Sequence, residues 1–262
     1  MKIWAIAKVG FKECLRYRIF YFILVMAILF IFLGKSCTPK LETGNTMLVD
    51  IETQQNVAME AGFHGIIFWS MMLCGLLSAG LLTREEEEGT AAMTLSRPLS
   101  RAQFLTGKIV SVLMVSVFNL FLLAGVFLLL FYVELGQFNP NILLSFLVMV
   151  VSLIVYCLMT LFLSFFMPRM VAPLVSMFIY LLNIWITLPY HFDKIKLIWV
   201  PSRRVEVLYA YLPKFGDIQF FSASFIAMSA KSYDIIPVFI NFAVYSLLFW
   251  FVILFLFNKR AY

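Results

Sequence analysis

The chain has 262 residues, of which 63% are hydrophobic, 17% aromatic and only 13% charged. Soluble domains carry about 25% charged residues, so this composition excludes a soluble globular protein and predicts an all-α integral membrane protein. In a soluble protein the net charge of +6 would point to nucleic acid or acidic lipid. Here the placement of charge around apolar runs carries the information instead, and no nucleic-acid partner is expected.

In chain order, residues 1–16 come first. Lys8, Lys12 and Arg16 fall at i, i+4 and i+8 on one face, and Ile3, Trp4, Phe11, Cys14 and Leu15 on another. This pattern predicts an amphipathic elbow helix lying on membrane lipids and leading into the first span. It fits a topology anchor with snorkelling lysines and equally a docking element for a partner. Six apolar runs follow, at about 17–34, 63–82, 108–133, 141–167, 170–189 and 235–257. Each has about the length a helix needs to cross the hydrocarbon core. The first lacks an A-x-A-like cleavage site before Lys35 and precedes five more, so it is expected to remain a span.

With both termini cytoplasmic, the inner segments hold 12 of the 20 Lys and Arg residues and the outer ones 8, in the sense of the positive-inside rule. The segment after the fifth run goes against that trend, with Lys194, Lys196, Arg203, Arg204, Lys214 and Lys231. The rule weakens for long segments, and the short inner ends decide the orientation. Residues 35–62 read as a polar, mildly acidic outer loop that caps the outer mouth or meets a partner. The second run is rich in Met, Gly and Ser, and its Gly and Ser are small residues that let membrane helices approach closely.

Between the second and third runs stands the polar island TREEEEGTAAMTLSRPLSRAQFLTGK, Thr83 to Lys108. A charge at the bilayer centre costs about 2.5–3.5 kcal/mol even on lenient insertion scales, so Glu85, Glu86, Glu87 and Glu88 must lie outside the hydrocarbon. Thr83 with Glu86, and Ser100 with Gln103, match the S/T-x-x-E/Q capping box and predict two short helical pieces broken around Pro98. The glutamates read as a solvated helix end, where the first turn favours negative charge, or as a docking surface flanked by Arg84, Arg97, Arg101 and Lys108. Four in a row on a helix point in four directions, and no second acidic or His cluster accompanies them. No metal or catalytic carboxylate site is expected there.

Tight turns join the third to the fourth run (Glu134–Pro140) and the fourth to the fifth (Met167–Pro168–Arg169). Residues 190–234 then form an outer loop or re-entrant segment. They hold an amphipathic piece from Arg203 to Leu212, followed by YLPKFGDIQFFSASF, whose aromatic and small residues suit a segment dipping into the outer leaflet.

The inventory for independent chemistry is thin. His64 and His191 are the two histidines, both near outer interfaces; without HExxH or paired-His spacing they read as structural. Cys14, Cys37, Cys74 and Cys157 show no metal-type spacing, and with Cys37 alone outside, no internal disulfide is expected. The middles of the spans hold Asn119, Asn183 and Asn241 but no Asp, Glu, Lys or Arg, whereas ion-coupled carriers need intramembrane acids. GxxxxGK[ST] fails at Gly107–Lys108. No catalytic residue is assigned, and energy for active transport has to enter from another subunit.

The run EEEEGT…LSRPLSRAQFLTGK resembles the segment after the second span of ABC-2-type (type V) transporter permeases, where an acidic–Gly–Thr stretch, Leu-Ser-x-Pro and a later Gly-Lys recur. The chain is similar to six-span bacterial permeases of the nitrous-oxide-reductase maturation and sodium-efflux systems. The similarity extends to the elbow, KVGFKECLRYRIFYFILVMA, and to the region around Pro213, Phe215 and Gly216. It implies a single permease domain over 1–262 in the bacterial inner membrane, expected to export. It also implies that residues 84–101 form a coupling helix received by a separate ATPase subunit, which would hold ATP and Mg2+. The site residues carried over are Arg84, Glu85, Glu86, Glu87, Glu88, Gly89, Thr90, Arg97, Pro98 and Arg101. A second copy of the chain and an outer accessory protein are further implied partners, and this chain itself would need no cofactor. Two other readings stay open: an ATP-driven mechanotransmitting complex acting on an outer partner, and a membrane scaffold without ATPase.

Overall fold

A computed structural model describes residues 2–36, 51–87, 100–135, 141–191, 207, 209–226 and 235–259. Among the described residues the regular structure is helical throughout: α1 (Lys2–Arg16), α2 (Arg18–Ser36), α3 (Ile51–Glu87), α4 (Arg101–Leu135), α5 (Asn141–Ser164), α6 (Val171–His191), α7 (Phe215–Ser224) and α8 (Ile235–Lys259). Within them Met59–Leu81, Arg101–Leu130, Asn141–Ser164 and Ile235–Lys259 are long and apolar enough to cross a membrane. The pair α1 and α2, bent by 64° at Tyr17, makes a fifth if taken as one span, and α6 contributes the shorter apolar stretch Val171–Thr187.

Helices α3 and α5 form the centre. The former packs on α2, α4, α5 and α6, the latter on α3, α4, α6, α7 and α8. Lipid tails are as apolar as leucine, so burial alone does not draw membrane helices together; close packing and internal hydrogen bonds do. The core accordingly combines interlocked rings with buried polar groups. Phe63, Phe127 and Phe146 pack with ring centroids 5.1 and 6.3 Å apart. Ser78 Oγ donates to Cys74 O at 2.6 Å and lies 3.2 Å from Cys157 Sγ, so the fold brings together on α3 and α5 two buried cysteines that the sequence keeps far apart. Outward, α8 shows Ile236, Ile240, Val244, Leu247, Phe251 and Phe255, the apolar surface that a lipid-facing helix requires.

Three local expectations are revised. Helix α1 does not simply lie on lipid, because Ala7, Gly10 and Cys14 are buried and the helix packs extensively on α4. The two backbones meet at a pair of glycines. A Cβ on Gly107 would stand 2.8 Å from Ile6 Cβ and 3.2 Å from the Ile3 carbonyl oxygen, and one on Gly10 would stand 2.6 Å from Ser111 Oγ. Residues 51–62, read as loop, belong to α3. Thr83 starts no helix: α3 runs through it to Glu87, since Thr-Arg-Glu-Glu-Glu contains no breaker and Arg and Glu are strong helix formers. The second capping box does form. Ser100 Oγ accepts from Gln103 N at 3.2 Å while Gln103 Oε1 accepts from Ser100 N at 3.4 Å, and α4 begins there rather than at 108.

Candidate functional site

Two polar regions stand at opposite ends of the bundle. The first is the end that carries both termini, where α3 and α4 lead into the polar island. At about 1.5 Å per residue, the 37 residues of α3 and 35 of α4 extend about 55 and 52 Å, well beyond about 30 Å of hydrocarbon. Both helices thus continue unbroken from the bundle core to the charged segment. Arg84, Glu85, Glu86 and Glu87 form the last turn of α3. Glu88, Gly89, Thr90, Arg97 and Pro98 lie outside the described residues, and with them most of the segment 84–101. Arg101 opens α4, and its Nη1 donates to the Asn258 carbonyl at 3.1 Å. This cation meets the carbonyl-rich end of α8, where the helix dipole favours it.

Three further contacts tie this end together. Lys108 Nζ pairs with Glu13 Oε2 at 3.1 Å, joining α4 to α1 beside the glycine crossing. Phe104 stacks on Phe257 with the rings inclined by only 21°, reinforcing the Arg101 link to α8. The Arg169 guanidinium, from the α5–α6 turn, lies against α3 at Gly80, where a Cβ would come within 3.3 Å of its Nε. Lys8, Lys12 and Arg16 remain exposed on α1. The sequence singled out Arg101 and the elbow cations separately. It did not show that α1, α4 and α8 are joined, because glycine contacts over a hundred residues apart leave no local pattern.

The second region surrounds α7, a ten-residue helix whose Phe215, Gly216, Asp217, Ile218, Gln219, Ser222 and Ala223 are buried. A helix N-terminus leaves four backbone N–H groups without intrahelical partners, and away from water each orphan is costly. Here two neighbouring spans supply acceptors. Asn183 Oδ1 of α6 accepts from Gly216 N at 2.8 Å, and Asn241 Oδ1 of α8 accepts from Lys214 N at 3.2 Å. Gly216 permits the approach, since its Cβ position is only 2.5 Å from Thr187 Cβ. Further along, Tyr180 OH donates to Gln219 Oε1 at 2.8 Å, Gln219 Nε2 lies 2.6 Å from His64 Nδ1, and Ser222 Oγ donates to the Ser145 carbonyl at 2.5 Å. Tyr209 OH donates to Asp217 Oδ2 at 2.5 Å, so the one acid of α7 has a phenol partner. The Phe215 ring packs edge-on against Tyr156, Tyr180 and Phe242. Buried and half-buried side chains of α3, α5, α6 and α8 thus hold α7. Sequence reasoning noted Asn183, Asn241 and His64 without a task for them; the Pro-Lys-Phe-Gly turn was the available signal, because a helix starting inside an apolar region needs its N–H groups met from elsewhere.

Among the described residues no group of three or more His, Cys, Asp or Glu gathers as a metal site. The termini-bearing end is joined mainly by charged groups and the α7 region mainly by neutral hydrogen bonds. The family model for ABC-2 family transporter proteins matches residues 4–260. The chain belongs to that family. It is a multi-pass membrane protein of the permease type, and permeases of this family generally leave ATP hydrolysis to a separate subunit. Comparison with curated proteins gives no match.

Proposed function

We propose that this permease is the membrane half of an ATP-driven exporter, powered by a separate ATP-binding subunit that docks on residues 84–101. The observation that carries this reading is the continuity of α3 and α4 from the core to either side of that segment. A push on the segment has two rigid levers to act through, and α3 is also the helix around which α2, α4, α5 and α6 pack. Glu86, Glu87, Glu88, Gly89 and Thr90 would face the partner, with Arg97 and Arg101 beside them. ATP and Mg2+ belong to that partner. What this chain contributes is the transmission of motion: closure of the partner subunits tilts α3 and α4, α1 and α8 follow α4 through Lys108–Glu13 and Arg101–Asn258, and the bundle moves largely as a rigid body.

In this reading the chain crosses the bacterial inner membrane six times, with α2, α3, α4, α5, α6 and α8 as spans and both termini in the cytoplasm. The α7 region then lies toward the outer face, and two copies enclose the pathway, since one six-span bundle is too small to enclose it comfortably. Reversing charge with Glu86→Lys and Glu87→Lys together is expected to reduce co-purification of the ATPase subunit at least tenfold, the loss of about 1.4 kcal/mol or more of binding free energy. The variant should still elute as an intact permease in size-exclusion chromatography. Full retention of the ATPase by that intact variant would overturn the docking assignment.

A further inference from the structure

A chain of three neutral polar groups runs from α3 through α7 to α6. Its direction follows from the way the Gln219 amide is turned. Tyr180 OH donates to Gln219 Oε1 at 2.8 Å, which leaves the amide nitrogen of Gln219 facing His64 Nδ1 at 2.6 Å. An amide nitrogen can only donate, so His64 Nδ1 accepts and the neutral ring carries its hydrogen on Nε2. Tyrosine gives, glutamine relays, histidine receives.

Histidine is the side chain whose ordinary charge change falls between about pH 5 and 8. A proton arriving at Nδ1 turns the acceptor into a donor and sets it against the amide N–H. The amide can answer by turning over, offering Oε1 to the imidazolium and its nitrogen to the Tyr180 oxygen. The Tyr180 hydroxyl hydrogen then loses its acceptor, and Tyr180 is only 1% exposed, so no water takes its place cheaply. We propose that His64, Gln219 and Tyr180 form a proton-sensing relay in which protonation of His64 loosens α7 from α6.

Of the three groups His64 is the one whose ordinary charge change falls in this range. Its own helix brings Glu60, one turn away, which is itself engaged. From α7 come Gln219 and the Phe220 ring, 6.4 Å from the imidazole centroid, and farther along the helix Asp217, already bonded to Tyr209. Tyr180 is the contribution of α6. At this level α5, α4 and α2 present the rings of Phe146, Phe127 and Phe30, against Phe63, Gly62 and Gly65 respectively. His64 is partly accessible, so a proton can reach it. The relay rests on the geometry of α3, α6 and α7; only its exposure to the outer rather than the inner medium rests on the orientation proposed above.

Amide hydrogen exchange of the full chain in lipid nanodiscs tests the relay, with protection of residues 215–224 followed from about pH 7.5 down to about pH 4.5, past the acid side of the ordinary histidine range, after correction for intrinsic exchange. In the unaltered chain, protection of α7 is expected to fall about tenfold at the acid pH. His64→Gln, which cannot titrate, should keep its protection. Tyr180→Phe, which has no hydroxyl hydrogen to strand, should show lower protection at neutral pH and no further fall in acid. His64→Asn provides the same comparison if His64→Gln does not fold. An unaltered chain whose α7 ignores pH, or a folded His64 or Tyr180 variant that retains the full acid response, would overturn the relay.

Discussion

The two ends of this bundle meet the same requirement with different chemistry. At the termini-bearing end, α1, α4 and α8 are joined by an ion pair, an arginine on a helix-end carbonyl and a glycine crossing. Around α7 most joints are neutral, made by two asparagines, a glutamine, a tyrosine, a histidine and a serine, and the one acid, Asp217, is held by the Tyr209 hydroxyl. The difference follows from access to water. Lys108 and Glu13 are 16% and 48% exposed, so each keeps part of its hydration and their pairing costs little. The N-terminus of α7 is buried, where an unpaired charge costs several kcal/mol and a neutral amide supplies the missing acceptor without that penalty. The charged joints of the first end are therefore tolerant and salt-sensitive, and the asparagine caps of α7 are demanding and indifferent to salt.

The largest effect expected from breaking this contrast lies at Asn183. Asn183→Leu removes the acceptor of the Gly216 N–H and leaves that donor buried, a loss of about 2 kcal/mol. In mixed-micelle unfolding the free energy of unfolding should fall by that amount equally at low and high salt. A salt-dependent shift, or one below about 0.5 kcal/mol, would show that α7 is held by ring packing around Phe215 rather than by its side-chain caps. Gly107→Ala should have a smaller effect, about 1 kcal/mol at the lower end of overpacking costs. Its new methyl meets Ile6 Cβ and the Ile3 carbonyl, but α1 lies at the edge of the bundle and can shift outward. Proteolysis within residues 2–16 should accelerate in Gly107→Ala and stay unchanged in Asn183→Leu; the opposite result would mean that α1 is not docked through this crossing.

How much of this was legible in the sequence depends on the range of each interaction. The all-helical membrane class follows from composition, which needs no knowledge of contacts. The Ser100–Gln103 capping box was legible because both bonds close within one turn. Thr83–Glu86 matched the same pattern and failed, because nothing before Thr83 ends α3; a cap needs a helix start, and the four-residue pattern alone does not supply one. The role of α1 was half legible. Its cationic face is visible in Lys8, Lys12 and Arg16, but the stripe Ala7, Gly10 and Cys14 only gains meaning once Gly107 and Ser111 are opposite. Asn183 and Asn241 illustrate the same limit more strongly. They read as isolated polar residues in apolar runs, and the groups they cap belong to a helix that begins 32 residues after the first and ends before the second.

The smallest effect sharpens the comparison most. Glu13→Gln removes the partner of Lys108 while keeping the shape of the side chain. For a part-exposed pair the expected cost is about 0.5 kcal/mol or less, and it should fade as salt rises from about 0.05 to about 1 M and the screening length drops to about 3 Å. Differential unfolding of Glu13→Gln and the unaltered chain at the two salt concentrations measures this directly. A cost that persists at high salt would mean that Glu13 acts through packing against α4, making the glycine crossing and not the charge the bond between elbow and lever. A cost well above 1 kcal/mol that disappears in salt would place the pair in a less hydrated site than its exposure indicates. Such a result would move the charged end toward the neutral end in kind, because the ion pair would then lie where water no longer screens it.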